Sequence, residues 1–260
     1  MTLEQRKTYL TTTTMLDLHT LARLIITSLL LVSPTHGFPL WPNTTIPSAF
    51  PTACSSPSST STAEVAPTCR IFYPTSYRVM NSRYPTWDQT PLHGDRDFFM
   101  LLRQRADTFQ VATQVQFDGL EDAAPPDSKS SCRLQLQLPE KDMQTIMGPA
   151  PVVDVYQVAR QVDAAASWST YEPTVAANSN GSVPAPAVFG SINGSLAAQA
   201  TMWNQSAGLV DVGTTLCNET LTWQIGMAID GGDEVNYWDF VGTDPPFNPV
   251  QGFRVTTGCS

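Results

Sequence analysis

The sequence predicts an all-β protein, an antiparallel β-sandwich formed by a single domain. Apolar and polar residues alternate in three segments, 108–118, 132–138 and 221–229. In the second of these, Leu134 and Leu136 share one face of the segment. A period of two is typical of half-buried antiparallel strands that have one apolar and one polar face. Many short strands separated by polar turns favour a sandwich.

Weaker strand patterns and turn-rich stretches fill the rest of this region. Short helices fit the pattern only within 139–147 and, less strongly, within 156–166. The turns are indicated by clusters of Gly, Pro and Asp between the apolar runs. The weaker strand candidates are 70–79, 97–102, 151–158, 197–203, 235–241 and 252–258.

The N-terminal residues 1–37 have the pattern of a secretory signal peptide. Arg23 precedes a short apolar run at 24–32, and small residues lead to a cleavage site after Gly37. The run is too short to span a bilayer, which takes roughly 20 apolar residues. We therefore expect a secreted protein, located outside the cell or in the cell wall, that makes no membrane contact after signal cleavage.

A Pro/Ser/Thr-rich segment, 38–67, follows the signal peptide. Its composition cannot bury enough apolar surface to offset the entropy of ordering, which predicts a disordered linker. The alternating patterns begin after it, so the β-sandwich domain is assigned to 68–260. These three segments are the predicted organisation of the chain.

The charge balance limits the class of partner. The chain has a net charge of −9 and few lysines, which excludes attraction to nucleic acid and to anionic membrane surfaces. A cell-wall polysaccharide or an extracellular protein remains as the expected partner. The oligomeric state is left open.

Five cysteines are present, and an exported chain is expected to pair them. Cys54 and Cys69 close a short loop, whereas Cys132, Cys217 and Cys259 compete for partners near three predicted strands. An odd count leaves one thiol unpaired or paired between chains. Connectivity cannot be deduced from spacing alone.

Five N-x-S/T sequons predict N-glycosylation, because used sites lie on the surface of exported proteins. Three of them fall close together between 180 and 206, which marks that stretch as exposed. The acceptor residues are Asn43, Asn180, Asn193, Asn204 and Asn218.

The order of several motifs resembles the But-two C-terminal domain family over roughly 70–259. The strongest is Cys-x-Leu-x-Leu-x-Leu-Pro at 132–139, and the terminal Gly-Phe-Arg-Val-Thr-Thr-Gly-Cys at 252–259 supports it. These are fungal proteins, often secreted, named after a yeast protein that binds a ubiquitin-like modifier. The resemblance implies a β-sandwich and no established activity, so no catalytic residues carry over from it.

Histidines give little support for catalysis or for a metal centre. Beyond the signal region only His93 remains, and no Gly-x-Ser-x-Gly motif accompanies it. Cleavage after Thr35 instead of Gly37 would place His36 at the N-terminus, and with His93 it would offer copper two imidazoles. An N-terminal histidine and a second histidine hold copper in secreted polysaccharide monooxygenases, but nothing else in the chain matches that family. We therefore predict no catalytic residue, no metal and no cofactor.

The densest acidic group is Asp230-Gly-Gly-Asp233-Glu234 with Asp239. Two positioned carboxylates can hydrolyse a glycoside, whereas a Gly-Gly hairpin turn with solvated carboxylates explains the same residues more simply. A weak Ca²⁺ site at Asp230 and Asp233 is a further interpretation of these acidic residues.

Aromatic residues offer a sugar platform, because their ring faces stack on sugars. Trp238, Trp168 and Tyr171 are the candidates: adjacent Tyr237 and Trp238 face opposite sides of a strand, which leaves one of them available for exposure, and the other two residues lie in a predicted loop. Trp223 belongs to the apolar phase of its strand and is assigned to the core.

The sequence therefore favours a secreted glycoprotein that acts as a non-catalytic module of the cell wall or extracellular matrix. A secreted glycan hydrolase using the carboxylates of 230–239 is one alternative. A secreted effector or protein-binding module is another.

Overall fold

The computed structural model describes residues 69–92, 97–121, 130–149, 151–228 and 234–259. All of them belong to one compact unit, Thr62–Ser260. Within these ranges the strands are β1 (Arg70–Phe72), β2 (Ser76–Asn81), β3 (Phe98–Arg103), β4 (Gln110–Phe117), β5 (Ser131–Gln137), β6 (Gln144–Met147), β7 (Val152–Val158), β8 (Gly190–Asn193), β9 (Leu209–Leu216), β10 (Leu221–Met227), β11 (Asn236–Val241) and β12 (Gly252–Thr257). The α-helices are α1 (Glu172–Asn178) and α2 (Leu196–Ser206).

The strands form two sheets, and the predicted antiparallel β-sandwich is confirmed. The smaller sheet has the order β1-β12-β5-β9. The larger has the order β6-β11-β3-β4-β10-β7-β8, and β2 also pairs with β4. Every strand pair is antiparallel. The three strongly alternating segments became β4, β5 and β10, each near the centre of its sheet.

The hydrophobic core lies between the two sheets. Leu134 and Leu136 of β5 belong to the same buried cluster as Trp223 of β10 and Phe99 of β3. Phe99 also packs edge-on against the ring of Trp238, with ring centroids 5.8 Å apart. The assignment of Trp223 to the core is therefore confirmed.

Two disulfides close the domain. Cys69, just before β1, pairs with Cys259, just after the neighbouring strand β12, and Cys132 pairs with Cys217. The short-loop pairing of Cys54 with Cys69 is therefore wrong, because Cys69 bonds across the sheet to the C-terminal end of the domain. Cys54 itself lies outside the described residues.

The polar faces of the central strands are not solvated, which corrects the expectation of half-buried strands. Gln114, Gln116 and Gln224 are buried on the outer face of the large sheet, because a segment that follows β7 covers them. Their amides are satisfied by that segment, as in the bond from Gln116 Nε2 to the Gln161 carbonyl oxygen at 3.1 Å. Hydrogen bonding makes a buried polar face tolerable.

The predicted strand at 197–203 is wrong, because this stretch forms helix α2. Ser195 caps the helix by accepting the Ala198 N–H at 3.3 Å, and alanines favour the helical backbone. The helix ends where Ala207 adopts a left-handed conformation. The segment 139–147 holds a single 3₁₀ turn followed by β6, and no helix forms within 156–166.

No helix in the described part of the chain is long and apolar enough to cross a membrane.

Candidate functional site

Trp238 does not contribute to an exposed sugar platform. Its side chain is 0 % exposed, and its Nε1 donates a hydrogen bond to Gln144 Oε1 at 2.8 Å. On β11 the even-numbered residues face the core, so Tyr237 is the member of the pair that lies nearer the surface. The prediction that Trp238 presents a ring face to a ligand is wrong for this reason.

Trp168 and Tyr171 lie together, as the sequence suggested, but they are mostly buried. Their ring centroids are 4.9 Å apart, and both pack in a small second core with Met80 and Ala112. This second core lies on the outer face of the large sheet. The small accessible parts of the two rings line a cavity.

Buried glutamines fix the position of these two aromatic residues. Gln224 on β10 accepts the backbone N–H of Glu172 at 2.8 Å and donates to the carbonyl oxygen of Thr170 at 2.9 Å. Both bonds flank Tyr171 in the chain. The sheet therefore holds the turn that carries Trp168 and Tyr171 by backbone contacts on either side of it.

An exposed aromatic pair that the sequence analysis did not select lies on the connection between β2 and β3. Tyr84 is 50 % and Trp87 is 66 % exposed, and their ring centroids are 6.3 Å apart with an interplanar angle of 31°. Their position between two strands in a turn rich in Pro, Thr and Asp was the available signal.

The connection is held in place at several points. Arg78 Nη1 lies 3.1 Å from Asp88 Oδ2, and the same carboxylate accepts the Thr90 N–H at 3.0 Å through its other oxygen. The N–H of Ser169 donates to the Pro85 carbonyl oxygen at 2.7 Å. The last bond joins the chain segment of the exposed pair directly to the turn that carries Trp168.

A cavity of about 280 Å³ lies beside the turn that carries Trp168 and reaches Ser82 at the start of the same connection. Its aromatic lining consists of Tyr156, Trp168 and Tyr171. Polar side chains at Ser82, Asp107 and Gln110 also line it. We refer to the three aromatic residues of the cavity and the exposed pair on the linked connection together as the aromatic patch: Tyr84, Trp87, Tyr156, Trp168 and Tyr171.

Tyr156 and Tyr171 of the patch are neutral hydrogen-bonding groups at physiological pH. Burial, together with the nearby Asp154 carboxylate, raises the pKa of Tyr156 to about 12. Burial is also the main cause that raises the pKa of Tyr171 above its ordinary value. A neutral phenol keeps a donor and an acceptor available beside an apolar ring.

The carboxylate group at 230–239 is only partly described. Asp230 and Asp233 lie outside the described residues, as does His93. Asp239 takes a hydrogen bond from the Thr145 N–H of β6 at 3.2 Å through one oxygen and from the Tyr237 hydroxyl of its own strand through the other, so both of its oxygens are engaged in the fold. Among the described residues, no three His, Cys, Asp or Glu side chains lie close enough together to hold a metal ion.

Four of the five sequon asparagines fall within the described residues, and all four are exposed. Asn180 follows α1, Asn193 ends β8, Asn204 lies on α2 and Asn218 follows β9. Asn43 lies outside the described residues. The four positions are sterically open to a glycan.

No family model matches the chain, and a search of curated proteins finds no significant match. The resemblance to the But-two C-terminal domain family therefore stays a prediction.

Proposed function

We propose that the protein is a secreted, N-glycosylated and non-catalytic module that binds a neutral polysaccharide of the cell wall or matrix through the aromatic patch. The observation that carries the proposal is the exposed pair Tyr84 and Trp87, joined by the Ser169–Pro85 hydrogen bond to an aromatic cavity. A sugar presents C–H groups on its ring faces and hydroxyls on its edge. Such a ligand needs aromatic faces together with polar groups beside them.

The patch offers both kinds of contact. The rings of Tyr84 and Trp87 are inclined by only 31°, so they suit two successive sugar units of an extended chain. The cavity adds the hydroxyl of Ser82 and the amide of Gln110 as hydrogen-bonding partners. Because the connection is already fixed by the Arg78–Asp88 ion pair, little ordering is required on binding.

The charge of the chain selects among polysaccharides. A net charge of −9 repels polyuronates and sulfated glycans. Neutral polymers such as β-glucan, mannan and chitin avoid this repulsion. These polymers are the expected ligand class.

Retention on insoluble polysaccharide tests the proposal. The purified protein is incubated with chitin, β-glucan and mannan, and the bound fraction is measured with Trp87→Ala as the test variant. Aromatic contacts of this kind contribute about 0.5–1.5 kcal/mol, so the variant should lose affinity by roughly 2- to 10-fold. Phe247→Ala is the matched control, because Phe247 is also 66 % exposed but lies on the connection between β11 and β12.

Two results would contradict the proposal. One is the absence of retention of the wild-type protein on all three polymers. The other is an equal loss for Trp87→Ala and Phe247→Ala, which would indicate non-specific adsorption of exposed aromatic rings.

Export and glycosylation are tested separately. Two disulfides and four exposed sequons support passage through an oxidising secretory compartment. Expressed in a eukaryotic host, the protein should appear in the medium and lose mass on treatment with an N-glycosidase. Retention in the cell pellet, or a mass unchanged by the enzyme, would reject this part of the proposal.

A further inference from the structure

A very small cavity lies apart from the aromatic patch, where the connection between β11 and β12 meets the beginnings of β2 and β3. Its volume is about 10 Å³, room for one atom of the size of a water oxygen. Oxygen-bearing residues dominate its lining. They include Tyr77, Asp97, Asp244 and Gln251.

Gln251 lines this cavity with an unsatisfied oxygen. The residue is 4 % exposed, and its Oε1 has no hydrogen-bond partner among the residues that the structure describes. Its Nε2 donates to the Val241 carbonyl oxygen at 2.7 Å, which fixes the orientation of the amide. A flipped amide would instead place two oxygens against each other. A buried acceptor without a donor costs about 1–3 kcal/mol, so an electropositive partner is expected.

Two carboxylates line the same cavity. The backbone of Asp97 accepts the Gly242 N–H at 2.7 Å, which places it beside the chain that leads to Asp244. Burial, and next the negative charge of Asp244, raise the pKa of the Asp97 carboxyl. Tyr77 contributes a hydroxyl oxygen that accepts the Phe253 N–H at 3.1 Å. Among the described residues that line the cavity, none is Lys or Arg.

The backbone around Gln251 is fixed before any ligand arrives. Thr243 and Gln251 form an isolated antiparallel bridge, with N–H···O bonds of 2.9 and 3.1 Å in the two directions. The Thr243 hydroxyl donates to the Pro249 carbonyl oxygen at 2.7 Å. The loop that carries Asp244 therefore has a closed base.

We propose that this cavity is a Ca²⁺ site in which Asp97, Asp244 and the Oε1 of Gln251 are protein ligands. Ca²⁺ takes carboxylate and amide oxygens in flexible geometry, and solvent water beside the exposed Asp244 completes its shell. Mg²⁺ demands a near-ideal octahedron and is the poorer fit to ligands from two different connections. The site is independent of polysaccharide binding and of the carboxylates at 230–233.

Titration of the chelator-treated protein with CaCl₂ tests the site. Calorimetry should find one Ca²⁺ bound per chain. The dissociation constant should lie in the range of about 10⁻⁴–10⁻³ M that is usual for extracellular modules. The melting temperature should rise with Ca²⁺ because the ion binds the folded state. MgCl₂ at the same concentrations should give a smaller rise.

Three variants separate ligation from a general effect on folding. Asp244→Asn should weaken Ca²⁺ binding at least tenfold. Asp97→Asn should do the same and also raise the melting temperature of the metal-free protein, because it removes a half-buried charge near Asp244. Asp142→Asn, an exposed acid outside the cavity, should leave the Ca²⁺ response unchanged.

In Asp97→Asn we expect the metal-free protein to become more stable while its affinity for Ca²⁺ falls. A purely structural role of Asp97 would not produce this combination. The proposal is overturned if millimolar Ca²⁺ neither binds with one-to-one stoichiometry nor shifts the melting temperature. It is equally overturned if Asp244→Asn and Asp142→Asn respond alike. Either result would assign the cavity to a water molecule.

Discussion

The side-chain amide of Gln224 donates a hydrogen bond to the backbone carbonyl oxygen of Thr170 at 2.9 Å. Gln224 lies on a central strand of the large sheet and is completely buried, whereas Thr170 belongs to the turn that carries the cavity aromatics. A buried polar residue of the scaffold thus determines where the candidate binding site lies.

The first prediction concerns the removal of this amide. Gln224→Ala leaves the Glu172 N–H, the Thr170 carbonyl and the Gln114 amide without their present partner. Unsatisfied buried groups cost about 1–3 kcal/mol each, so we expect a loss of about 3 kcal/mol in the free energy of unfolding. Urea denaturation measures it. Polysaccharide retention should fall as well, because the turn loses its anchor.

Gln137→Ala is the control for this prediction. Gln137 makes one exposed hydrogen bond, from its Nε2 to the Ala207 carbonyl oxygen at 2.9 Å. Water replaces such a partner, so its loss should cost about 1 kcal/mol or less. If Gln224→Ala and Gln137→Ala lower the free energy of unfolding by the same amount, the buried glutamines do not hold the turn.

The alternating segments predicted the scaffold well, and the reason is physical. In 132–138 the leucines on one face of β5 had to meet a second apolar surface, and the inner face of the large sheet provides it. The same pattern could not show that the glutamines of β4 and β10 are buried. Alternation shows which residues of a strand are polar. It does not predict whether a polar residue is buried, because the hydrogen-bond partner that covers it comes from a distant segment.

The site was harder to predict than the fold for a related reason. Whether an aromatic ring is exposed depends on tertiary contacts, so Trp87 and Trp238 could not be distinguished by composition. Disulfide connectivity depends on strand order in the same way. Cys69 and Cys259 are 190 residues apart in the chain, yet they meet because β1 and β12 are neighbours.

The second prediction tests the burial of Trp238 through a neighbouring glycine. A Cβ atom at Gly194 would lie 2.8 Å from the Trp238 ring and 2.9 Å from the Pro151 carbonyl oxygen. Gly194→Ala should therefore cost about 3 kcal/mol of unfolding free energy, as overpacking in a dense core does. Urea denaturation followed by tryptophan fluorescence is the measurement.

Gly181→Ala is the matched substitution. Gly181 has a φ of +82°, but a Cβ there meets nothing within 4 Å. Only backbone strain of about 1–2 kcal/mol is expected. A Gly194→Ala protein as stable as the wild type would mean that Trp238 can move outward, and it would restore that residue as a candidate for the surface.

The third prediction concerns stability at alkaline pH. Burial is the largest cause that raises the pKa of four described tyrosines, and for Tyr156 the value is about 12. In the unfolded chain a tyrosine ionises near pH 10. Above about pH 10 the folded protein therefore holds more protons than the unfolded one, and the free energy of unfolding falls as the pH rises. Below about pH 10 these groups contribute no slope. The four are Tyr77, Tyr156, Tyr171 and Tyr237.

Tyr156→Phe should reduce this alkaline slope, because it removes one proton that the folded state retains between about pH 10 and its own pKa. Urea denaturation at a series of pH values measures the slope, and tyrosinate absorbance reports ionisation in the native protein. Near neutral pH the variant should show the same pH dependence as the wild type. An unchanged alkaline slope, or full tyrosinate absorbance before the protein unfolds, would mean that the Tyr156 phenol is open to water in the folded protein, which would contradict its burial.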